Sequence, residues 1–219
     1  MESARFAGQF PAEGLICYAC RAVPPMFERA VAHAVYQGEL REMIHLLKYE
    51  QMGGVANLLG GMLAEAMLML RGQAARELVV VAVPLFATKR RERGYNQAEL
   101  LADAAIAELR RTAPEWRLRR IAALTRRRDT RSQFELSPRS RRRNLEGAFA
   151  VDPELFPLGC EVLLVDDIYT TGATARECAR VLRRAGARKV WVATLARAQT
   201  PRVAMWGDDS VMHVAQGFG

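Results

Sequence analysis

The run Val162-Leu163-Leu164-Val165-Asp166-Asp167-Ile168-Tyr169-Thr170-Thr171-Gly172-Ala173-Thr174 constrains the fold more than any other stretch of this chain. Four consecutive apolar residues, Val162 to Val165, form the short hydrophobic run of a parallel strand buried on both faces. Asp166 and Asp167 sit where that strand is expected to end. A Thr-Thr-Gly-Ala-Thr turn follows, and Ala175 to Arg184 reads as a helix that stops at Gly186. Lys189 to Leu195 reads as a second strand. Strand, loop, helix and strand fit one βαβ unit, so the expected class is α/β with a mostly parallel central sheet flanked by helices.

The turn carries its own chemistry. Gly172 lets successive backbone N–H groups point into one concavity, and the positive end of the following helix dipole adds to it. Thr170, Thr171 and Thr174 offer hydroxyls to the same place, which makes the turn a phosphate cradle. Carboxylates beside an anion must face another part of the ligand, and ribose hydroxyls or a divalent metal are the two candidates. The expected ligand is a sugar phosphate held through its hydroxyls and its phosphate together. A nucleotide loop of the Gly-x4-Gly-Lys-Ser/Thr type would have no acidic pair, so this motif is a different one.

A second cationic element precedes it. Leu78 to Val83 is a β-branched run ended by Pro84, and reads as the first buried strand. The segment Lys89-Arg90-Arg91-Glu92-Arg93-Gly94-Tyr95-Asn96-Gln97 follows as a basic loop before a helix from about Ala98 to Arg111. Loops outside the carboxyl ends of parallel strands are where open α/β sheets bind ligands. Lys89, Arg90 and Arg93 therefore suit a second anion, for which pyrophosphate is the natural choice.

Upstream, Leu40, Met43, Ile44 and Leu47 recur at the spacing of one helix face. After Gly53-Gly54, a second amphipathic helix runs through Val55, Leu58, Leu59, Met62, Leu63, Ala66, Met67 and Leu70. Trp116 to Ile121 alternates weakly, with Ala122 to Leu124 continuing it, and Val211 to Val214 reads as a last edge strand.

Charge narrows the partners. The 219 residues carry a net charge of +8, and eleven arginines lie between Arg117 and Arg143 against two acids, Asp129 and Glu135. Such a block attracts polyanions such as nucleic acid, or small anions such as pyrophosphate. Ser137-Pro138 and the arginine density argue against a buried element, so a lid closing over an anionic ligand is the expected form. Only Trp116 and Phe134 interleave the block, which leaves few stacking platforms for bases. No segment reaches the ~18 apolar residues of a membrane span. The first residues lack the basic-then-apolar order of a signal peptide, and the expected location is the cytoplasm.

Of the four cysteines, only Cys17 and Cys20 form a pattern, a single Cys-x-x-Cys followed by Pro24-Pro25. A closed zinc site wants four ligands, commonly two such pairs. Cys160 and Cys178 read as small buried hydrophobes.

The run from Val162 to Thr174 closely resembles the phosphoribosyl pyrophosphate (PRPP) motif of type I phosphoribosyltransferases. The flanks narrow the resemblance. Leu47-Lys48-Tyr49, Val83-Pro84-Leu85, Arg93-Gly94-Tyr95-Asn96-Gln97, Leu124-Thr125-Arg126, Thr130, Gln133, Arg142-Arg143-Asn144 and Gly147-Ala148-Phe149 follow the order seen in ComF-type proteins. These are bacterial phosphoribosyltransferase-like proteins linked to natural competence and DNA uptake, and the match runs from about Tyr36 to Leu195.

The resemblance implies a type I phosphoribosyltransferase-like fold over residues 26–219. It implies that Asp166 and Asp167 take the ribose hydroxyls, with a Mg2+ ion accompanying PRPP. Thr170, Thr171, Gly172, Ala173 and Thr174 would take the 5′-phosphate, Lys89, Arg90 and Arg93 the pyrophosphate, and Arg126, Arg131, Arg142 and Arg143 the lid. Members of the family usually carry a four-cysteine zinc ribbon at the start. This chain keeps only the last pair, so residues 1–25 read as a partial ribbon with Cys17 and Cys20 left as Zn2+ ligands. Two functions follow as expectations: phosphoribosyl transfer with release of pyrophosphate, or a non-catalytic DNA-uptake or sensor module that keeps the PRPP pocket and binds single-stranded DNA or competence proteins. A transcriptional regulator would need a helix-turn-helix, and no such pattern stands out.

Overall fold

A computed structural model describes residues 20, 23–49, 53–128 and 145–198. The first strand is not the Val-rich one. β1 (Arg29–Val35) precedes it, followed by α1 (Gly38–Tyr49) and α2 (Gly53–Leu68). Next come β2 (Glu77–Ala82), α3 (Ala87–Arg93), α4 (Gln97–Thr112) and β3 (Arg117–Ile121). β4 (Leu124–Arg126) and β5 (Phe149–Val151) form a small antiparallel pair, and β6 (Glu161–Tyr169), α5 (Ala173–Arg184) and β7 (Lys189–Arg197) complete the described elements.

The central sheet has the order β1-β7-β6-β2-β3, and all four pairings are parallel. The expected α/β architecture with a mostly parallel sheet between helices is the observed one. Alternation along the strands divides the core. Leu78, Val80, Leu163, Val165, Trp191, Ala193 and Leu195 face α1, α2 and α4. Val79, Val81, Val162, Leu164, Val190 and Val192 face α5, Leu124 and Phe149. Strands buried on both faces need continuous apolar runs, which is why β2, β6 and β7 are the most legible in the sequence. α2 and α4 approach closely at Gly60, where a Cβ would collide with that of Ala104.

Four sequence expectations change. The strand holding the acid pair does not end at Val165: its ladder with β7 continues through Asp166↔Thr194 to Tyr169↔Arg197, so both carboxylates sit on the strand itself. The basic segment after β2 is no open loop, because Ala87–Arg93 forms a short helix closed by Gly94 at φ 81°. Ala122 to Leu124 do not prolong β3; the chain turns there into β4 of the second sheet. The third helical segment starts at Gln97 rather than Ala98, capped by Asn96. The segment expected as a strand over residues 211–214 lies outside the described residues. Among the described residues no helix is long and apolar enough to cross a membrane.

Candidate functional site

The connections out of the two central strands leave in opposite directions. β2 leads through α4, on one face of the sheet, to β3; β6 leads through α5, on the other face, to β7. β2 and β6 are neighbours, so their carboxyl ends bound the crevice where the strand order reverses, the usual ligand position in open α/β sheets. Into this crevice come the acid pair, the Thr-rich turn, the end of α1 and the basic segment.

The turn after β6 has the form expected of an anion cradle. Gly172 adopts φ 73° and caps α5, and the first helical bond runs from the Arg176 N–H to the Gly172 carbonyl at 2.9 Å. The N–H groups of the helix's first turn have no intrahelical acceptor and face outward with the positive dipole end. The Thr171 hydroxyl is buried and has no hydrogen-bond partner among the described residues. Asp166, Thr170, Gly172, Ala173 and Thr174 line one cavity of about 20 Å³, together with Tyr169 and Thr194. That is room for about one water molecule. Tyr169 closes the space: its hydroxyl lies where a Cβ on residue 172 would be, and the Arg197 guanidinium stacks on its ring at 5.9 Å.

The two acids differ sharply. The Asp167 N–H donates to Asp166 Oδ1 at 2.9 Å, and the Ile168 N–H donates to Asp167 Oδ1 at 2.9 Å. Lys48, in the last turn of α1, forms an ion pair with Asp167 Oδ2, and both side chains are mostly buried at 20% and 9% exposure. Burial pushes the Asp167 carboxyl up, but the charge and hydrogen bond of Lys48, with further bonds from Asp166 and the Ile168 N–H, outweigh it and hold the group below the usual range. Asp166 goes the other way. Burial raises it, and the negative Asp167 beside it raises it further, well above an ordinary carboxyl. The negative charge of the pair is therefore held more readily on Asp167 than on Asp166, as expected of two acids that cannot both ionise cheaply.

Lys48 also lines a second cavity, of about 260 Å³, with Tyr49, Lys89, Glu92, Arg93 and Tyr95. Arg93 is held from two sides: it donates to Gln97 Oε1 at 2.6 Å and stacks on Tyr49 at 5.3 Å. Arg90 points elsewhere, forming a two-pronged pair with Glu99 at 3.2 Å per contact. The structure thus brings Lys89 and Arg93 together and sets Arg90 apart. Tyr95 donates to the Leu47 carbonyl, which ties the basic segment to the end of α1. Buried Asn96 caps α4 through the Ala98 N–H at 3.1 Å and donates to the Val83 carbonyl at 3.1 Å. Arg-Gly-Tyr-Asn-Gln is thus a fastening between β2, α1 and α4 as well as a source of charge.

Lys48 is the residue that sequence reasoning missed. A lysine in the last turn of an amphipathic helix reads as a solvated end charge. Only its place in Leu47-Lys48-Tyr49 singles it out. Arg126 lies on β4 over the Phe149 ring at 5.5 Å, near enough to α5 for its charge to act on Cys178. Arg131, Arg142, Arg143 and Cys17 lie outside the described residues. Cys20 Sγ accepts from Arg176 at 3.2 Å. No group of three or more His, Cys, Asp or Glu among the described residues is placed to hold a metal.

An acid pair is nonetheless a sound partial site for magnesium, which is commonly bound by one or two carboxylates with substrate phosphates supplying further oxygens. Asp166 and Asp167 fit that donor set.

No protein-family model matches the chain. Three relatives do. The DNA utilization protein YhgH of Salmonella typhimurium is 36% identical over 185 residues, covering 84% of this chain and 78% of that protein. Competence protein F of Haemophilus influenzae is 32% identical over 186 residues, covering 83% and 78%. Competence protein ComFC of Streptococcus pneumoniae is 32% identical over 122 residues, covering 56% and 49%. Among solved structures, the allosteric regulatory enzyme of purine biosynthesis overlays with a TM-score of 0.39 at 20% identity over 68% of this chain. The glutamine PRPP amidotransferase of B. subtilis gives 0.38 at 23% over 67%. The chain spans 29% of the length of each, an overlap too small to carry any of the site's geometry.

Proposed function

This chain belongs to the ComF family, and on that premise we propose that the crevice between β2 and β6 binds PRPP with a magnesium ion. One observation carries the reading: the acid pair stands between two cavities, one at the start of α5 and one lined by cationic side chains. Asp166 lines the helix-end cradle, and Lys48, the partner of Asp167, lines the cationic cavity with Lys89 and Arg93. A ligand with a phosphate at one end, hydroxyls in the middle and a pyrophosphate at the other matches that order.

The residues divide the work accordingly. Thr170 to Thr174 hold the 5′-phosphate with helix-end N–H groups and hydroxyls, once Tyr169 swings away from Gly172. Asp166 and Asp167 accept hydrogen bonds from the ribose hydroxyls. Lys48, Lys89 and Arg93 face the pyrophosphate. When bound, magnesium supplies positive charge at the pyrophosphate oxygens. In the transfer, the bond from ribose C1 to the pyrophosphate oxygen breaks with its electron pair leaving on the pyrophosphate, and the acceptor's lone pair forms the new bond to C1. Cationic donors aimed at the departing oxygens stabilise that charge more in the transition state than in the ground state.

The relatives are named for DNA utilisation and competence, which favours a second reading. In it, PRPP occupancy serves DNA handling without group transfer. Calorimetry with PRPP and Mg2+ tests the pocket shared by both readings, and the Asp166→Asn/Asp167→Asn variant should abolish the heat. No binding to the unaltered chain would sink the assignment. Release of pyrophosphate in a turnover assay separates the two readings.

A further inference from the structure

The cradle at the start of α5 has the backbone of an anion site, yet it is filled from within. Gly172 already holds its left-handed turn, and the first helical bond of α5 is formed behind it. The space that remains is about 20 Å³, room for about one water and too little for a phosphorus with its oxygens. The Tyr169 ring takes up the rest. Its hydroxyl and the ring carbons next to it are the atoms nearest to where a Cβ on residue 172 would stand. Gly172 therefore serves twice: it takes the turn, and it leaves the room that the ring occupies. Tyr169 ends β6, opposite Arg197 in the ladder with β7, and its carbonyl accepts from the Ala198 N–H at 2.9 Å. Its backbone is thus fixed to the sheet, so the space is cleared by turning the side chain and not by moving a loop. The exposed Arg197 guanidinium, 5.9 Å from the ring centre, favours the ring where it is.

We propose that Tyr169 is a gate that keeps free phosphate out of the cradle and yields only to a phosphate carried by a longer ligand. Displacing the ring costs the same whichever ligand enters, so the gate lowers both affinities by one factor. What differs is the return. Free phosphate gains only the helix-end N–H groups and hydroxyls of the cradle. A ligand that also reaches the acid pair and the cationic cavity gains contacts there, and that remote binding energy offsets the displacement. The weak ligand is thereby excluded at concentrations where the strong one still binds. A side chain whose open position is populated at about 10% or less weakens apparent affinity by about tenfold or more. That the opening ligand is PRPP rests on the reading above; the exclusion of free phosphate rests on Tyr169 and Gly172 alone.

The test is calorimetric titration of inorganic phosphate, at constant ionic strength, into the full chain and into Tyr169→Ala, Tyr169→Leu and Tyr169→Phe. Alanine and leucine remove the far end of the ring, and leucine keeps part of its packing should alanine fail to fold. Both should bind phosphate about tenfold or more tightly than the parent. Phenylalanine keeps the ring and should stay near the parent. Thr174 lines the cradle, so adding Thr174→Val to the leucine variant should cut the gain. Leucine and alanine variants that bind phosphate no better than the parent overturn the proposal. So does a phenylalanine variant that gains as much as they do, and so does a gain that Thr174→Val leaves intact, since the phosphate then sits elsewhere. PRPP with Mg2+ is titrated into the parent as a separate arm. No heat there sinks the PRPP assignment alone, because the phosphate arm still reads the gate.

Discussion

Replacing Lys48 by methionine should expose how tightly the acid pair is held. Methionine keeps the length and apolar stem of the side chain and deletes only the charge. Asp167, 9% exposed, then loses the cation paired with it, while Asp166 remains beside it. Removing one partner of a buried ion pair costs about 3–5 kcal/mol, because the other charge is left uncompensated. The lysine here is 20% exposed, so the lower end, about 3 kcal/mol, applies. For a domain of this size that is a fall in Tm of about 6–12 °C. The pH dependence identifies the cause. The folded pKa of Asp167 lies below its unfolded value, so the stabilisation from Lys48 is in place above about pH 3.9 and fades as the pH drops through the folded value. Urea unfolding of both proteins over a pH series from neutrality downward should therefore show a gap that is large at neutrality and narrows as the pH falls below about 3.9. A loss below about 1 kcal/mol at neutral pH, or a gap that does not shrink in acid, would refute the buried pair.

Further outcomes follow from the same geometry. Gly172→Ala forces an L-residue to φ 73° and drives its Cβ into the Tyr169 hydroxyl. The backbone term alone is about 1–2 kcal/mol by urea unfolding, and binding of PRPP by calorimetry should weaken with it. Glu161→Gln disturbs a buried carboxylate that accepts from the Ala75 N–H at 3.0 Å, Trp191 at 2.9 Å and Arg188 at 2.9 Å. An amide must turn an NH2 toward one of those donors, at a cost of about 1.5–3 kcal/mol. Burial alone would raise Glu161, but the Ala75 and Trp191 bonds and the charges of Arg188 and Lys189 hold it below the usual value. Its contribution is thus present above the ordinary glutamate pKa of about 4.3 and lost as the pH falls further, so the Gln variant should approach the parent in acid.

The parts of the fold that read clearly from the sequence are those whose local pattern and tertiary role agree. Val162 to Val165 and Leu78 to Val83 are apolar throughout because they are covered on both faces, and Leu40, Ile44 and Leu47 are buried along one helix stripe. β1 was invisible for the opposite reason. Arg-Ala-Val-Ala-His-Ala-Val has little β-propensity of its own, and it becomes a strand by pairing with β7 some 160 residues away. The strand carrying the acids runs past them for a similar reason, since the ladder partner, not the polarity of Asp166 and Asp167, decides where it ends. A seven-residue helix with no buried residue, α3, leaves no apolar stripe to find. At the site, the cradle and the acids were legible because strand, turn and helix are contiguous. The Lys48–Asp167 pair was not, because it joins residues 119 positions apart through tertiary packing alone.

The central claim is that one ligand spans both cavities through the acid pair. Isothermal titration calorimetry with PRPP, with ribose 5-phosphate and with pyrophosphate, each with Mg2+, tests it directly. The account predicts that PRPP binds more tightly than either fragment, that Lys89→Met weakens PRPP and pyrophosphate while sparing ribose 5-phosphate, and that Asp166→Asn weakens PRPP and ribose 5-phosphate while sparing pyrophosphate. Equal affinity for PRPP and one of its fragments, or a Lys89 variant that loses ribose 5-phosphate, would contradict it.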